Sequence, residues 1–423
     1  MVDIRKIVED TDNVRTLLHK RLKPDELDLD NLIAAYEKYK EALVRYENAR
    51  ADQKRKSEDL SRTKKGSDEF TKAVTGLKVM SESVRKVESE MTELKEVYLK
   101  LLDGVPNFPD DDVPAGGREA NKVLREVGNV PQFDFEIKDH LTLGTDLGIL
   151  DFDRAAKIAG TQFAMHVGDG ALLVWALVTY FIQKHVKDGY TPYLPPHLLN
   201  RESAYVAGQL PKFEEDVYWT ADGMCLLPTA ETALANLHRD EILEEKDLPR
   251  KFFAYTPCYR KESGAAGTRD RGLMRMHQFH KVEMFQYTRP EDSDAALKEL
   301  VGKAEALVKD LGLAYRVTLL AGEDMSFGMA KTVDIEVWLP FEKKWAEVSS
   351  ASNARDFQAR RGNIRYRKAD GSIAYVNMLN ASGLATSRLT VAILETYQNT
   401  DGSVRVPDVL QTFLGKKVIT APR

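Results

Sequence analysis

Cysteine is nearly absent: Cys225 and Cys258 are the only two in 423 residues. That excludes a disulfide framework, and the two lack metal-ligand spacing, so a reducing compartment is expected. Long hydrophobic runs are missing too. The most apolar stretch, "GALLVWALVTYFIQKHV", is interrupted by Gln183 and Lys184 and is shorter than the roughly 20 residues a bilayer crossing needs. It reads as a buried helix, and no membrane association is expected. The first residues, "MVDIRKIVEDTDNV", set acidic side chains where a signal or transit peptide has basic and apolar ones, so a cytoplasmic location is expected. No charge of one sign dominates: 61 Lys and Arg face 66 Asp and Glu, a net −5. A global attraction to nucleic acid is thereby excluded, and any such contact must come from a local basic surface. Neither a G-x-G-x-x-G nor a G-x-x-x-x-G-K-[S/T] loop occurs, so a bound nucleotide must be held without those glycine-rich cradles.

What is present divides in two, as a chain of this length suggests. Leu32, Tyr36, Tyr39, Leu43 and Tyr46 step by fours and threes, the spacing of one face of a coiled coil. Arg50, Gln53 and Ser57 continue the register with polar residues, "SRTKKGSDE" turns around Gly66, and the stripe resumes at Phe70, Val74, Leu77, Val84, Met91, Leu94, Tyr98 and Leu101. Two long helices joined by a short turn predict an antiparallel hairpin, or coiled-coil arm, on the order of 45 Å long. The Pro- and Gly-rich "GVPNFPDDDVPAGGREANK" marks a boundary, giving domains of residues 1–110 and 111–423. Periodicity alone leaves a dimerisation or spacer role for the hairpin as open as any other. Its tip carries Arg50, Lys54, Arg55, Lys56, Arg62, Lys64 and Lys65 against Asp52, Glu58 and Asp59, a basic excess that suits phosphate tracking.

Beyond Lys122 short β-rich runs such as "KFFAYTPCYRKE", "MHQFHKVEMFQYT" and "VDIEVWLP" alternate with helical patterns. They predict an α+β domain, a mainly antiparallel sheet with helices packed on it. The chemistry concentrates between Cys258 and Phe285. If Phe252–Glu262 and Met274–Phe285 are paired strands, Arg260 offers a planar fork for a phosphate and Glu262 shares its face. Arg275 could hold a second phosphate, Phe279 stack on a base, and Glu283 receive an ammonium group. Together they describe a nucleoside triphosphate beside an amino acid. His277 and His280, three apart on a strand, fall on opposite faces, and no zinc is expected.

This segment resembles motif 2 of the class II aminoacyl-tRNA synthetases, and the whole chain resembles the bacterial-type seryl-tRNA synthetases. "GYTPYLPPHLL" resembles motif 1 and "LNASGLATSRLTVAILE" motif 3, with "GQLPKFEED", "PTAE", "HQFHKVE", "DIEVWLP" and "SNARDFQARR" in the family's order. The resemblance implies a class II antiparallel sheet flanked by helices, preceded by a tRNA-binding helical arm, in a homodimer. It implies activation of L-serine with ATP and transfer to serine tRNA, leaving open whether selenocysteine tRNA is also charged. Thr229, Glu231, Glu283, Asn380 and Ser382 would form the serine site. Arg260 would meet the substrate carboxylate and α-phosphate, Glu262 the adenine amino group, and Phe279 the adenine face. Arg275 and Arg388 would hold the γ-phosphate, and Glu347 and Ser350 Mg²⁺. Lys54, Arg55, Lys64 and Lys65 would belong to the tRNA arm. The chain departs from the family at "TRDR" in the motif 2 loop and at Ala351, Ala354 and Met378. Two other readings use the same fold, a non-catalytic RNA-binding relative and a ligase charging a carrier protein. The first would have lost Arg260, Glu283, Glu347 or Arg388, and the second suits a chain without an arm.

Overall fold

The computed structural model describes residues 1–263 and 272–422. Two compact units emerge: Val2–Thr16 with Leu22–Pro106, and Leu17–Arg21 with Met1 and the residues from Asn107 onward.

In the first unit two long helices form a hairpin, α1 (Leu29–Arg62) and α2 (Asp68–Asp103). Each starts where a side chain satisfies an amide that the helix leaves free: Asp28 accepts from Asn31 N and Ser67 from Phe70 N. Gly66, at φ +88°, supplies the left-handed turn residue between them. With 34 and 36 residues, the helices are about 50 Å long at 1.5 Å per residue, slightly more than expected. Leu32, Ala35 and Ala42 are the buried seam of α1. Tyr36, Tyr39 and Tyr46 of the predicted stripe are half-buried, because one partner helix covers only part of a large ring. Near the base Tyr98 stacks on Tyr39 with ring centroids 5.3 Å apart. Toward the tip Lys54, Arg55, Lys64 and Lys65 are exposed.

The second unit is built on an eight-stranded sheet: β1 (Lys122–Val127), β2 (Thr191–Tyr193), β3 (Arg250–Tyr259), β4 (Gln278–Thr288), β5 (Tyr315–Leu319), β6 (Lys331–Leu339), β7 (Lys344–Asn353) and β8 (Asn377–Ala385). Their order is β1-β5-β6-β7-β8-β4-β3-β2, antiparallel throughout except that β2 runs parallel to β3. Helices α3 (Asp169–Lys187), α4 (Ser293–Asp310) and α5 (Thr386–Thr396) pack against it. α3 is the stretch read as a buried helix. Leu173, Leu177 and Phe181 of α3, Leu300 and Leu307 of α4, and Leu389 and Ile393 of α5 join Val317, Ile335 and Val337 of the sheet in one core. Each such burial contributes on the order of 2 kcal/mol. No helix among the described residues is long and apolar enough to cross a membrane.

Two predicted strands are shorter than the sequence suggests. β3 ends at Tyr259 and β4 begins at Gln278, so Arg260, Glu262 and Arg275 lie on the connecting segments and not on strand faces. Glu262 turns the chain at φ +53°, and Gly272 does so at φ +65°. A Cβ on Gly272 would lie 2.5 Å from His140 Nε2, so glycine is required there for space as well as for conformation. The altered loop residues Thr268–Arg271 lie outside the described residues.

Candidate active site

The sheet brings together residues that are far apart in the chain. Pro228 to Ala230 lead into a short helical turn, Glu231–Leu234. β4 supplies Phe279, Lys281 and Glu283, whose alternation places them on one face. The central neighbour β8 supplies Asn380 and Ser382, with Ser382 opposite Glu283 in register. β6 and β7 add a set of oxygens, with Asp334 opposite Ser350 and Glu336 opposite Glu347. A cavity of about 640 Å³ opens over them, and Thr229, Glu231, Arg260, Glu262, Arg275, Glu347, Ser350, Asn380 and Ser382 all line it.

One group of these side chains forms a buried polar network. Thr229 Oγ1 accepts from Lys281 Nζ at 2.7 Å and donates to Glu283 Oε2 at 3.4 Å. Lys281 also ion-pairs with Glu283. Asn380 Nδ2 donates to Glu283 Oε1 and Glu231 Oε2, both at 3.2 Å, and Gln358 Nε2 donates to Glu231 Oε1 at 2.7 Å. Burial and then the Glu283 charge push the Glu231 carboxyl up to about 7, against the opposing pull of Lys281, the Gln358 hydrogen bond and Arg260. Two carboxylates that share Asn380 as a donor, Glu231 lining the cavity and Glu283 fully buried, attract a cation with several hydrogens to donate, which describes an ammonium group.

A second group is arranged for phosphate. Arg260 Nε donates to Pro228 O at 3.2 Å, and its guanidinium carbon stands 5.2 Å from the Phe279 ring centroid. Arg275 Nη1 donates to Glu262 Oε2 at 2.7 Å. Arg388, on α5, reaches the carbonyl of Glu347 at 2.8 Å and its carboxylate at 3.3 Å. Three arginines therefore stand at or beside one cavity, each tied through part of its guanidinium. Asp334 is held well above the usual carboxylate range by burial and by Glu347. Its Oδ1 is buried without a hydrogen-bond partner, which suits a hard cation between the carboxylates. No three described His, Cys, Asp or Glu side chains are grouped to hold a metal ion by themselves, so part of its shell would come from phosphate oxygens.

Of the remaining candidates, Glu283 is fully buried and joins the network through Asn380, while Phe279 lies under Arg260. His277 Nδ1 lies 3.0 Å from the Arg260 carbonyl and His280 Nδ1 2.9 Å from the Tyr255 hydroxyl, so each ring serves a local bond. Met378, Ala351 and Ala354 are buried in the core and are not among the cavity-lining residues. Lys54, Arg55, Lys64 and Lys65 belong to the other unit. Sequence reasoning passed over Lys281, Gln358 and Asp334. Lys281 was detectable, two residues before Glu283 on the same strand face; Gln358 and Asp334 join the site only through tertiary pairing.

Comparison with known proteins is consistent over the whole chain. Residues 1–109 match the seryl-tRNA synthetase N-terminal domain, and residues 213–397 the tRNA synthetase class II core domain (G, H, P, S and T). Serine–tRNA ligase 2 of Clostridium acetobutylicum is 48% identical, over 98% of this chain and 99% of its own length. The serine–tRNA ligase of Caldicellulosiruptor bescii is 44% identical over 99% of this chain and 100% of its own. The crystal structure of seryl-tRNA synthetase from Pyrococcus horikoshii complexed with ATP superimposes with a TM-score of 0.90 at 34% identity, covering 100% of both chains.

Proposed function

The chain belongs to the seryl-tRNA synthetase family, and from that premise we propose how its own residues carry out the family's reaction. It is an ATP-dependent ligase that joins serine to serine tRNA. The observation that carries the residue assignment is one cavity in which a carboxylate network adjoins a set of arginines.

In this reading Glu231, Glu283 and Thr229 receive the substrate ammonium, and Asn380 and Ser382 meet the serine side chain. A partner for the hydroxyl favours serine over alanine, since an unmet buried polar group costs about 1–3 kcal/mol. Arg260 turns the substrate carboxylate toward the α-phosphorus, Glu262 takes the adenine amino group, and Phe279 supports the adenine ring. The carboxylate oxygen attacks the α-phosphorus in line and pyrophosphate leaves, with Arg260, Arg275 and Arg388 offsetting the charge that builds on the phosphates. Glu347 and Ser350, with Asp334 nearby, offer the oxygen ligands that suit Mg²⁺, which when bound would neutralise phosphate charge. No protein nucleophile takes part. The terminal ribose hydroxyl of the tRNA then attacks the adenylate carbonyl and AMP departs. We read residues 1–110 as the tRNA-binding domain, with Lys54, Arg55, Lys64 and Lys65 on its arm, and 111–423 as the catalytic domain. We also infer a cytoplasmic homodimer. Trp175 and Val186 of α3 are 63% and 51% exposed, an apolar face that a second copy would cover.

The test is pyrophosphate exchange into ATP without tRNA, across a panel of amino acids. Serine is expected to give the highest rate. Exchange driven best by threonine or alanine, or needing no amino acid, would overturn the assignment.

A further inference from the structure

We propose that Lys281 is the positioning residue of the amino-acid subsite: its ammonium holds the Glu283 carboxylate and the Thr229 hydroxyl in place, so that an incoming substrate ammonium is received by an ordered cluster that includes Glu231. This rests on the reading above and goes beyond it, because Lys281 is not one of the groups assigned there to either substrate.

Lys281 is 6% exposed and Glu283 is fully buried. A carboxylate buried there has lost its hydration and needs a facing cation to offset the loss, and Lys281 is the cation paired with it. The same ammonium donates to Thr229 Oγ1 at 2.7 Å. That oxygen also accepts from the Glu231 amide at 3.3 Å, so one lysine ties the strand to the segment carrying Thr229 and Glu231. The charged and titratable groups acting on Glu231 are Glu283, Lys281 and Arg260, and the Cys258 thiol lies in the field of the last two. At formal charges Glu231, Glu283 and Lys281 together carry one net negative charge, which a substrate ammonium neutralises, while Arg260 is left for the substrate carboxylate and the α-phosphate. Without Lys281 the Glu283 carboxylate and the Thr229 hydroxyl lose the donor they share, and the Glu231 carboxyl loses a cation that draws its pKa down.

The test is pyrophosphate exchange from pH 5.5 to 9 with wild type and Lys281→Met, reading the KM for serine and for ATP separately. In wild type, kcat/KM for serine should fall about tenfold per pH unit once Glu231 is protonated, below about 7. In Lys281→Met the serine KM should rise about tenfold or more, as expected for lost hydrogen bonds to charged groups. The ATP KM should stay within about twofold, and the acid limb should move to higher pH because Glu231 loses the Lys281 charge that draws its pKa down. A merely structural lysine would raise both KM values or neither. A folded variant with the wild-type serine KM and acid limb overturns the proposal. If Lys281→Met does not fold, Lys281→Ala is assayed with propylamine, which replaces the missing atoms. Restored serine-dependent exchange supports the proposal, and no amine effect on a variant that still binds ATP overturns it. Wild type inactive with serine would instead overturn the functional reading beneath it.

Discussion

Glu231 allows a direct measurement of what the binding site costs the fold. Its carboxyl is raised from an ordinary 4.5 to about 7, chiefly by burial and then by Glu283. At 1.36 kcal/mol per pH unit that difference is worth about 3 kcal/mol. The folded pKa is the higher one, so the folded state binds the extra proton between the two values. The associated stability is fully present below pH 4.5 and is lost as pH rises through 7. Glu231→Gln has no proton to lose. Its amide keeps one acceptor but sets an NH₂ against Asn380 or Gln358, both of which donate to Glu231 now, a mismatch costing about 1 kcal/mol. The variant should therefore be about 2 kcal/mol more stable than wild type at pH 8. A rise of roughly 4 °C in Tm at pH 8 corresponds to that, and the advantage should vanish or reverse at pH 5. Thermal unfolding of both proteins at the two pH values, followed by near-UV circular dichroism, checks it. The serine KM should rise at the same time. A variant no more stable at pH 8, or with the same difference at both pH values, would refute the reasoning.

Arg260→Ala and Arg388→Ala should each lower pyrophosphate exchange by orders of magnitude, because phosphate charge at the transition state loses its partner; a near-normal rate would mean that the phosphates bind elsewhere. Sedimentation should report twice the 47.7 kDa chain mass, and Trp175→Glu, on the exposed apolar face of α3, should shift it toward the monomer; an active wild-type monomer would contradict the dimer. Replacing Leu32–Leu101 with a short linker should leave serine activation intact and abolish tRNA charging, whereas undiminished charging would reduce the hairpin to an appendage. Neutralising Lys54, Arg55, Lys64 and Lys65 together should weaken tRNA binding and flatten its salt dependence, since fewer counterions are released; an unchanged slope in binding assays across salt concentrations would count against the arm as the phosphate contact.

The hairpin was legible because its signal is local. Steps of three and four between apolar residues follow from 3.6 residues per turn, and Asp28, Ser67 and Gly66 mark its ends through short-range bonds and one permitted φ. The relation of Phe279 to Glu283 was legible for a similar reason: alternation along a strand is built into its covalent geometry, and the same rule, carried one step further, covers Lys281. Where the chain stops being regular was less so. Arg260, Glu262 and Arg275 were expected on strands, yet Glu262 at φ +53° and the turn at Gly272 lie on connecting segments with them, held by Ser263 to Asp216 on one side and by Leu273 to His140 on the other, contacts that no local pattern announces. Nothing local joins Glu231 to Gln358 and Asn380, which lie 127 and 149 residues further along the chain. Those pairings depend on β8 lying between β7 and β4, an order selected by burying the whole sheet at once. The pKa of Glu231 depends on it too, because desolvation and the Glu283 field exist only after the strands have assembled.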